Sequence, residues 1–257
     1  MQNIKQILTE IEKKKNIKIL YACETGSRAW GFPSPDSDFD IRFMYMHERD
    51  WYLSLGVRKD TIEIMDGDLD ITGWDLKKSL ILLKKSNAPL IERFNSPIEY
   101  FSVSGFKDEF KKLLTTYYSP IAVFFHHHSL AKKFWYELKD KEEVKLKSYF
   151  YLIRSLLSCN WIVKDNTVLP MHIEGLMKYV EEEYKERLRA LIELKATVDE
   201  KYLHTKDAIL NAWIVDLFEF IEAGKQNLAA NKTDTRLLNE FFLKILYEKA
   251  DDRLDKK

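Results

Sequence analysis

Residues 23–46 read CETGSRAWGFPSPDSDFDIRFMYM. They hold a Gly26-Ser27 step and, eleven positions after Ser27, an Asp38-Phe39-Asp40 triplet set among apolar residues. Phe39 to Met46 is rich in Ile, Phe, Tyr and Met, as expected of a strand covered on both faces. Side chains alternate across a strand, so Asp38 and Asp40 leave one face while Phe39 enters the opposite layer. Two carboxylates that close repel each other unless something positive sits between them. Upstream, Ile17 to Cys23 (IKILYAC) is a short apolar run that suits a buried strand ending at a turn, and a helix starts near Ser27. The two prolines and the Asp/Ser turn formers of FPSPDS, residues 32–37, force the chain out of that helix.

Working outward, DGDLDITGW (66–74) reads as a third strand with Asp68, Asp70 and Thr72 on one face and Leu69 and Ile71 on the other. Asp75 caps the helix that follows, LKKSLILLKK, and SNAP opens another short helix that stops before Pro97. The first hundred residues or so therefore form an α/β unit. From Gly105 onward glycine nearly vanishes, and segments such as 145–163 and 177–195 carry apolar residues at three- and four-residue spacing, which predicts a mostly helical remainder. The change of pattern divides the chain into domains 1–104 and 105–257.

The chain carries 41 basic and 41 acidic residues. That balance does not indicate a whole-chain electrostatic grip on nucleic acid or an anionic membrane. The N-terminal MQNIKQILTEIEKKKN reads as a short amphipathic helix, and no stretch approaches the roughly 20 apolar residues of a membrane span, so a cytoplasmic protein with no membrane partner is expected. Cys23 and Cys159 are too few for a disulfide framework and read as buried thiols.

Magnesium suits the acid pair, because it prefers hard oxygen ligands and is commonly held by one or two carboxylates with substrate phosphates. With Asp70 on a neighbouring strand, three acids can hold two metal ions that clamp the attacking and leaving oxygens of a phosphoryl displacement. Asp68 shares the face of Asp70 and is its rival, although its place near the MDGD turn favours backbone bonding. The glycine of the Gly26-Ser27 step lets backbone approach a phosphate, and the start of the next helix offers N–H groups. A P-loop is excluded, since no G-x-x-x-x-G-K-[ST] occurs.

The strand, Gly26-Ser27, the spacer, Asp38-Phe39-Asp40 and the later lone Asp together resemble the DNA polymerase beta-like nucleotidyltransferase superfamily. More narrowly, the stretches CETGSRAWGFPSPDSDFDIRFMY, DLDITGWDLKKSL with KSNAPLIERFNSPI, and KSYFYLIRSLLSCNWI are similar to a bacterial and phage family of predicted nucleotidyltransferases with RNA-repair-associated members. These blocks run from Cys23 to about Ile162. The resemblance implies an α+β fold, a small mixed-sheet nucleotidyltransferase domain followed by a helical domain that closes the nucleotide cleft. It implies a metal-dependent enzyme moving an NMP from an NTP to an acceptor hydroxyl with release of pyrophosphate, using Mg²⁺ or Mn²⁺. Asp38 and Asp40 match the pair that bridges both metals, Asp70 the third acid, and Gly26 and Ser27 the step that holds the triphosphate. Signatures that would name the acceptor are absent; an RNA end is favoured over a protein or small molecule.

Arg28 could reach a phosphate or pair with Glu24 or Asp36. Glu24 reads as an anchor of the loop, and Ser37 as a turn cap or a hydrogen-bond partner of Asp38. Lys147, Tyr151 and Arg154 fall on one helix face; the resemblance favours a triphosphate role for the two cations, with Tyr151 stacking or packing. Three consecutive histidines, 126–128, point about 100° apart on a helix and cannot converge on one metal, so one buried and two exposed rings are expected. Trp30 and Trp74 read as packing or base-stacking candidates, with core preferred. The rival to an enzyme is a catalytically silent nucleotide-binding sensor or partner in RNA repair; a plain RNA-binding protein ranks last for want of basic charge.

Overall fold

In the computed structural model, which describes residues 2–56, 58–231 and 234–251, the N-terminal segment forms helix α1 (Gln2–Lys15). Its Ile4, Leu8 and Ile11, at helical spacing, are buried. Strand β1 (Lys18–Glu24) follows, then α2 (Gly26–Trp30), β2 (Phe39–Met46), α3 (Arg49–Tyr52), β3 (Thr61–Asp66) and β4 (Leu69–Asp75). Next come α4 (Leu76–Lys84), α5 (Ala88–Phe94), β5 (Glu99–Ser102) and α6 (Phe106–Tyr117). The later chain supplies α7 (Pro120–Leu138), β6 (Glu143–Lys145), α8 (Leu146–Asp165), α9 (Ile173–Leu176), α10 (Glu182–Lys195), β7 (Leu203–Thr205), α11 (Ala208–Gly224) and α12 (Arg236–Asp251).

The described residues separate into two compact units, one from 2–25, 39–56, 58–118 and 234–251, the other from 26–38 and 119–231. The first contains a five-stranded sheet in the order β3-β4-β2-β1-β5. Only β2 and β4 in that order run parallel; the other pairs are antiparallel, so the sheet is mixed. Its core gathers Ile4, Leu8 and Ile11 of α1 with Ile19, Ile41, Phe43, Tyr45, Ile71 and Tyr100. Gly73 is required opposite Phe43: a Cβ there would lie 2.2 Å from the Phe43 ring. Asp75 caps α4 as expected, accepting from the Lys77 amide at 2.8 Å, and Asn87 caps α5 through the Leu90 amide at 3.1 Å.

The strand expected over 66–74 begins at Leu69, because Gly67, at φ +56°, turns the chain between β3 and β4. Asp66 closes β3 and Asp68 lies in the turn. The compact units also depart from a single boundary after residue 104. Phe110 of α6 stacks on Phe94 at 4.0 Å between ring centres, and Phe241 of α12 packs on Phe106, which keeps both helices with the sheet.

In the second unit α7, α8 and α11 form the helical core, with Phe150, Ile153, Leu157 and Ile214 fully buried. Residues 26–38 belong to this unit: Phe32 stacks on Phe150 at 4.7 Å and Trp30 meets Tyr151 edge-on. The expected helix over 145–163 is α8, whereas 177–195 divides into a 3-10 turn at Met177–Tyr179 and α10. Among the described residues no helix is long and apolar enough to cross a membrane.

Candidate functional site

In the sheet unit, the parallel pairing of β2 with β4 sets Asp40 opposite Asp70 and Arg42 opposite Thr72. The alternating neighbours Ile41, Phe43 and Ile71 go to the core, so the acids occupy the other face. Their side chains keep 26 % and 30 % of their surface exposed, enough to meet a ligand. Between them lies Arg42. One terminal nitrogen of its guanidinium donates to Asp40 Oδ1 at 2.8 Å and to Asp70 Oδ2 at 2.7 Å. The other donates to the backbone carbonyls of Asp70, at 2.8 Å, and Ile41, at 3.2 Å. The positive group that the acid strand requires is thus carried by the strand itself.

Asp40 is fixed from behind by the end of β1. The buried Glu24 accepts from the Asp40 amide at 2.6 Å through one carboxylate oxygen and from the Tyr100 hydroxyl through the other. Thr25 donates its amide, at 2.8 Å, and its hydroxyl, at 3.1 Å, to the Asp40 carbonyl. Glu24 is the loop anchor that its position suggested. Asp68 is exposed, and its carbonyl accepts from the Phe39 amide at 2.8 Å. That leaves Asp70 as the acid set against Asp40.

The remaining predicted residues lie in the helical unit. Gly26 opens α2 at φ +63°, a conformation that favours glycine. Ser27 is buried, and its carbonyl accepts from the amides of Gly31 and Phe32 at 3.0 Å. Arg28 donates to the carbonyls of Ser37, at 2.7 Å, and Asp38, at 3.1 Å, so it braces the loop that carries the exposed Asp38. Ser37 Oγ accepts from the Ser34 amide at 2.9 Å and donates to Glu200 at 3.2 Å. Glu200 ties further groups to this loop, its amide donating to Asp36 at 3.0 Å and its carboxylate accepting from Lys147 at 2.5 Å. The buried Lys195 donates to Ser34 Oγ at 2.6 Å. Burial lowers the Lys195 pKa. Burial also works against the Lys147 ammonium, but its bond to Glu200 and the charges of Glu200 and Asp38 outweigh it and hold its pKa above the ordinary lysine value.

Tyr151 packs against Trp30 and Phe134. Arg154 does not share the half-exposed setting of Lys147: it is 5 % exposed, with its guanidinium carbon 4.4 Å from the Trp30 ring centre and a bond to the Met171 carbonyl at 3.1 Å. The guanidinium packs on Trp30, the same ring that Tyr151 meets edge-on. Trp30 is a partner in that packing, and Trp74 is covered by Arg93 at 3.4 Å from its ring centre. Of the three histidines, 127 and 128 are buried rather than one, and His128 Nε2 lies 2.7 Å from Glu222.

The Asp40–Asp70 pair, carboxylate oxygens facing each other across two strands, is a donor set of the kind a divalent cation takes, and here the Arg42 nitrogen lies between the two. Among the described residues no group of three or more His, Cys, Asp or Glu is arranged to hold a metal. Arg42, Lys195 and Glu200 are the residues that sequence reasoning missed. Arg42 was within its reach, two positions beyond Asp40 and therefore on the same strand face. Nothing local to Lys195 or Glu200 points to a loop more than 150 residues earlier.

A family model described as the RNA repair pathway DNA polymerase beta family matches residues 1–244. The chain is 38 % identical over 251 residues to the uncharacterized protein YcgL of Bacillus subtilis (strain 168), covering 96 % of each. It is also similar to the crystal structure of a nucleotidyltransferase-like protein from Exiguobacterium sibiricum 255-15, at 12 % identity and a TM-score of 0.30, over 87 % of this chain and 74 % of that one.

Proposed function

We propose, because the chain belongs to the RNA repair pathway DNA polymerase beta family, that it transfers a nucleoside monophosphate from an NTP to an acceptor hydroxyl and releases pyrophosphate. The observation that carries this reading is the register that sets Asp40 against Asp70 with a cation between them. Asp40 and Asp70 would hold Mg²⁺ or Mn²⁺ together with substrate phosphates, with Asp38 the further acid that the family resemblance implies. When bound, such an ion supplies charge neutralisation and Lewis acidity at the reacting phosphate. Glu24 and Thr25 hold the backbone of Asp40, and Arg28 and Ser37 hold the loop that presents Asp38. Gly26 and Ser27 offer backbone to the triphosphate, and Lys147, kept protonated beside Glu200, offers it a positive charge. An RNA end is the acceptor we favour over a protein or small molecule, in keeping with the RNA repair pathway that the family description names.

The test is transfer of label from each α-labelled NTP, with Mg²⁺ or Mn²⁺, to pooled small RNA and to the protein itself. Wild type labels RNA and Asp40→Ala does not; equal labelling by both would remove Asp40 from the chemistry. One observation favours a second reading, a silent nucleotide-binding module: Arg42 already satisfies both acids. Nucleotide binding without pyrophosphate release under any acceptor would select it.

A further inference from the structure

We infer that Arg42 is the displaceable counter-ion of the Asp40–Asp70 pair, a positioning residue that holds the two carboxylates for a divalent cation and must leave them when the cation enters. The inference rests on the metal-dependent reading above. A single nitrogen lies within 2.7–2.8 Å of one oxygen from each carboxylate, which is where an ion shared by the two acids belongs. Magnesium binds carboxylate oxygen at about 2.0–2.1 Å, closer than any hydrogen-bond donor. Those two oxygens cannot ligate a shared ion and keep the same nitrogen between them. The guanidinium is also tethered at its other nitrogen to the carbonyls of Ile41 and Asp70, so its position between the acids is specified rather than incidental. Its side chain is 17 % exposed, leaving a solvent edge from which an ion can approach.

The consequence is a competition. Without metal, Arg42 offsets the repulsion between two like charges on neighbouring strands. With metal, a doubly charged ion replaces a singly charged one, and part of its binding free energy goes into releasing the guanidinium. Removing the guanidinium should therefore weaken the metal-free protein and strengthen its hold on the ion.

Mn²⁺ binding by calorimetry and by the EPR signal of free Mn²⁺ tests this in wild type, Arg42→Met, Arg42→Lys and Asp40→Asn, without nucleotide. Arg42→Met is expected to bind Mn²⁺ about tenfold more tightly than wild type, a difference of about 1.4 kcal/mol. It should melt lower in EDTA and recover at saturating Mn²⁺, while Arg42→Lys stays near wild type. Arg42→Met binding Mn²⁺ as weakly as wild type, or more weakly, overturns the inference and leaves the metal-dependent reading standing. Wild type binding no more Mn²⁺ than Asp40→Asn overturns both. Should Arg42→Met fail to fold, ¹⁵N-arginine-labelled wild type gives the same decision. The Arg42 Nη–H signals, protected in EDTA, are lost on Mg²⁺ addition if the guanidinium is displaced, and their persistence at saturating Mg²⁺ refutes displacement.

Discussion

Replacing Glu24 should show how much of the acid strand's placement depends on a carboxylate it never exposes. Glu24 is 0 % exposed and accepts two hydrogen bonds, from the Asp40 amide at 2.6 Å and from the Tyr100 hydroxyl. Bonds to a charged acceptor contribute about 1.5–3 kcal/mol each, so losing both gives about 3–6 kcal/mol. Relief of the buried charge offsets part of that, and Glu24→Ala is expected to destabilise by about 3 kcal/mol. Glu24→Gln keeps one acceptor and should lose about 1–2 kcal/mol. Urea unfolding of Glu24→Ala, Tyr100→Phe and the double variant reads these values as a cycle. Tyr100→Phe alone should cost about 1–2 kcal/mol, and little further once Glu24 is gone. A loss below about 1 kcal/mol for Glu24→Ala, or strict additivity with Tyr100→Phe, would refute the reasoning.

Two further outcomes follow from the same packing. Burial pushes the Cys23 thiol up to about 12, against the opposing charge of Arg93, from an ordinary value near 9. The folded state thus holds this proton more tightly: the contribution is fully present below pH ~9 and is lost as pH rises toward ~12, about 1.4 kcal/mol of it by pH ~10. Cys23→Ala should flatten the alkaline fall of the urea midpoint, and curves parallel to wild type would count against it. Arg154→Met should destabilise by about 2–4 kcal/mol, from the lost carbonyl bond and the desolvated cation–π contact with Trp30, yet leave NTP affinity within about twofold. A large loss of NTP affinity in a protein of unchanged stability would return Arg154 to the triphosphate.

What the sequence exposed, and what it hid, follows from the range of each signal. The bounds of β2, the Asp75 cap and the Gly26 turn are written in neighbouring residues, and the structure repeats them. The β3–β4 hairpin was harder, because DGDLD satisfies a period of two as well as a turn, and only Gly67 decides between them. Helical spacing correctly lined up Lys147, Tyr151 and Arg154, but spacing says nothing of which part of a face is covered. Coverage separates the half-exposed Lys147 from the enclosed Arg154. The Lys195 and Glu200 contacts to residues 34–37 join positions that no local pattern relates.

The acid strand itself shows how one rule can be applied and still stop a step short. Alternation places Asp38 and Asp40 on one face and then asks for a positive charge, to which Mg²⁺ is one answer. Carried two residues further, the same alternation reaches Arg42, and the parallel register with β4 brings Asp70 to the same guanidinium. A strand written Asp-x-Arg and set parallel to one that carries Asp70 brings its own counter-charge, so Asp40 and Asp70 require no metal merely to fold. Fold and metal chemistry thereby become separable in this protein. A chain that depended on metal to neutralise its acids would lose its structure with the ion, whereas in the exchange proposed above loss of the ion would hand the carboxylates back to Arg42. Such an exchange would let the sheet keep the Asp40–Asp70 geometry without metal, and the strength of the Arg42 bonds would set how much free metal the proposed reaction requires.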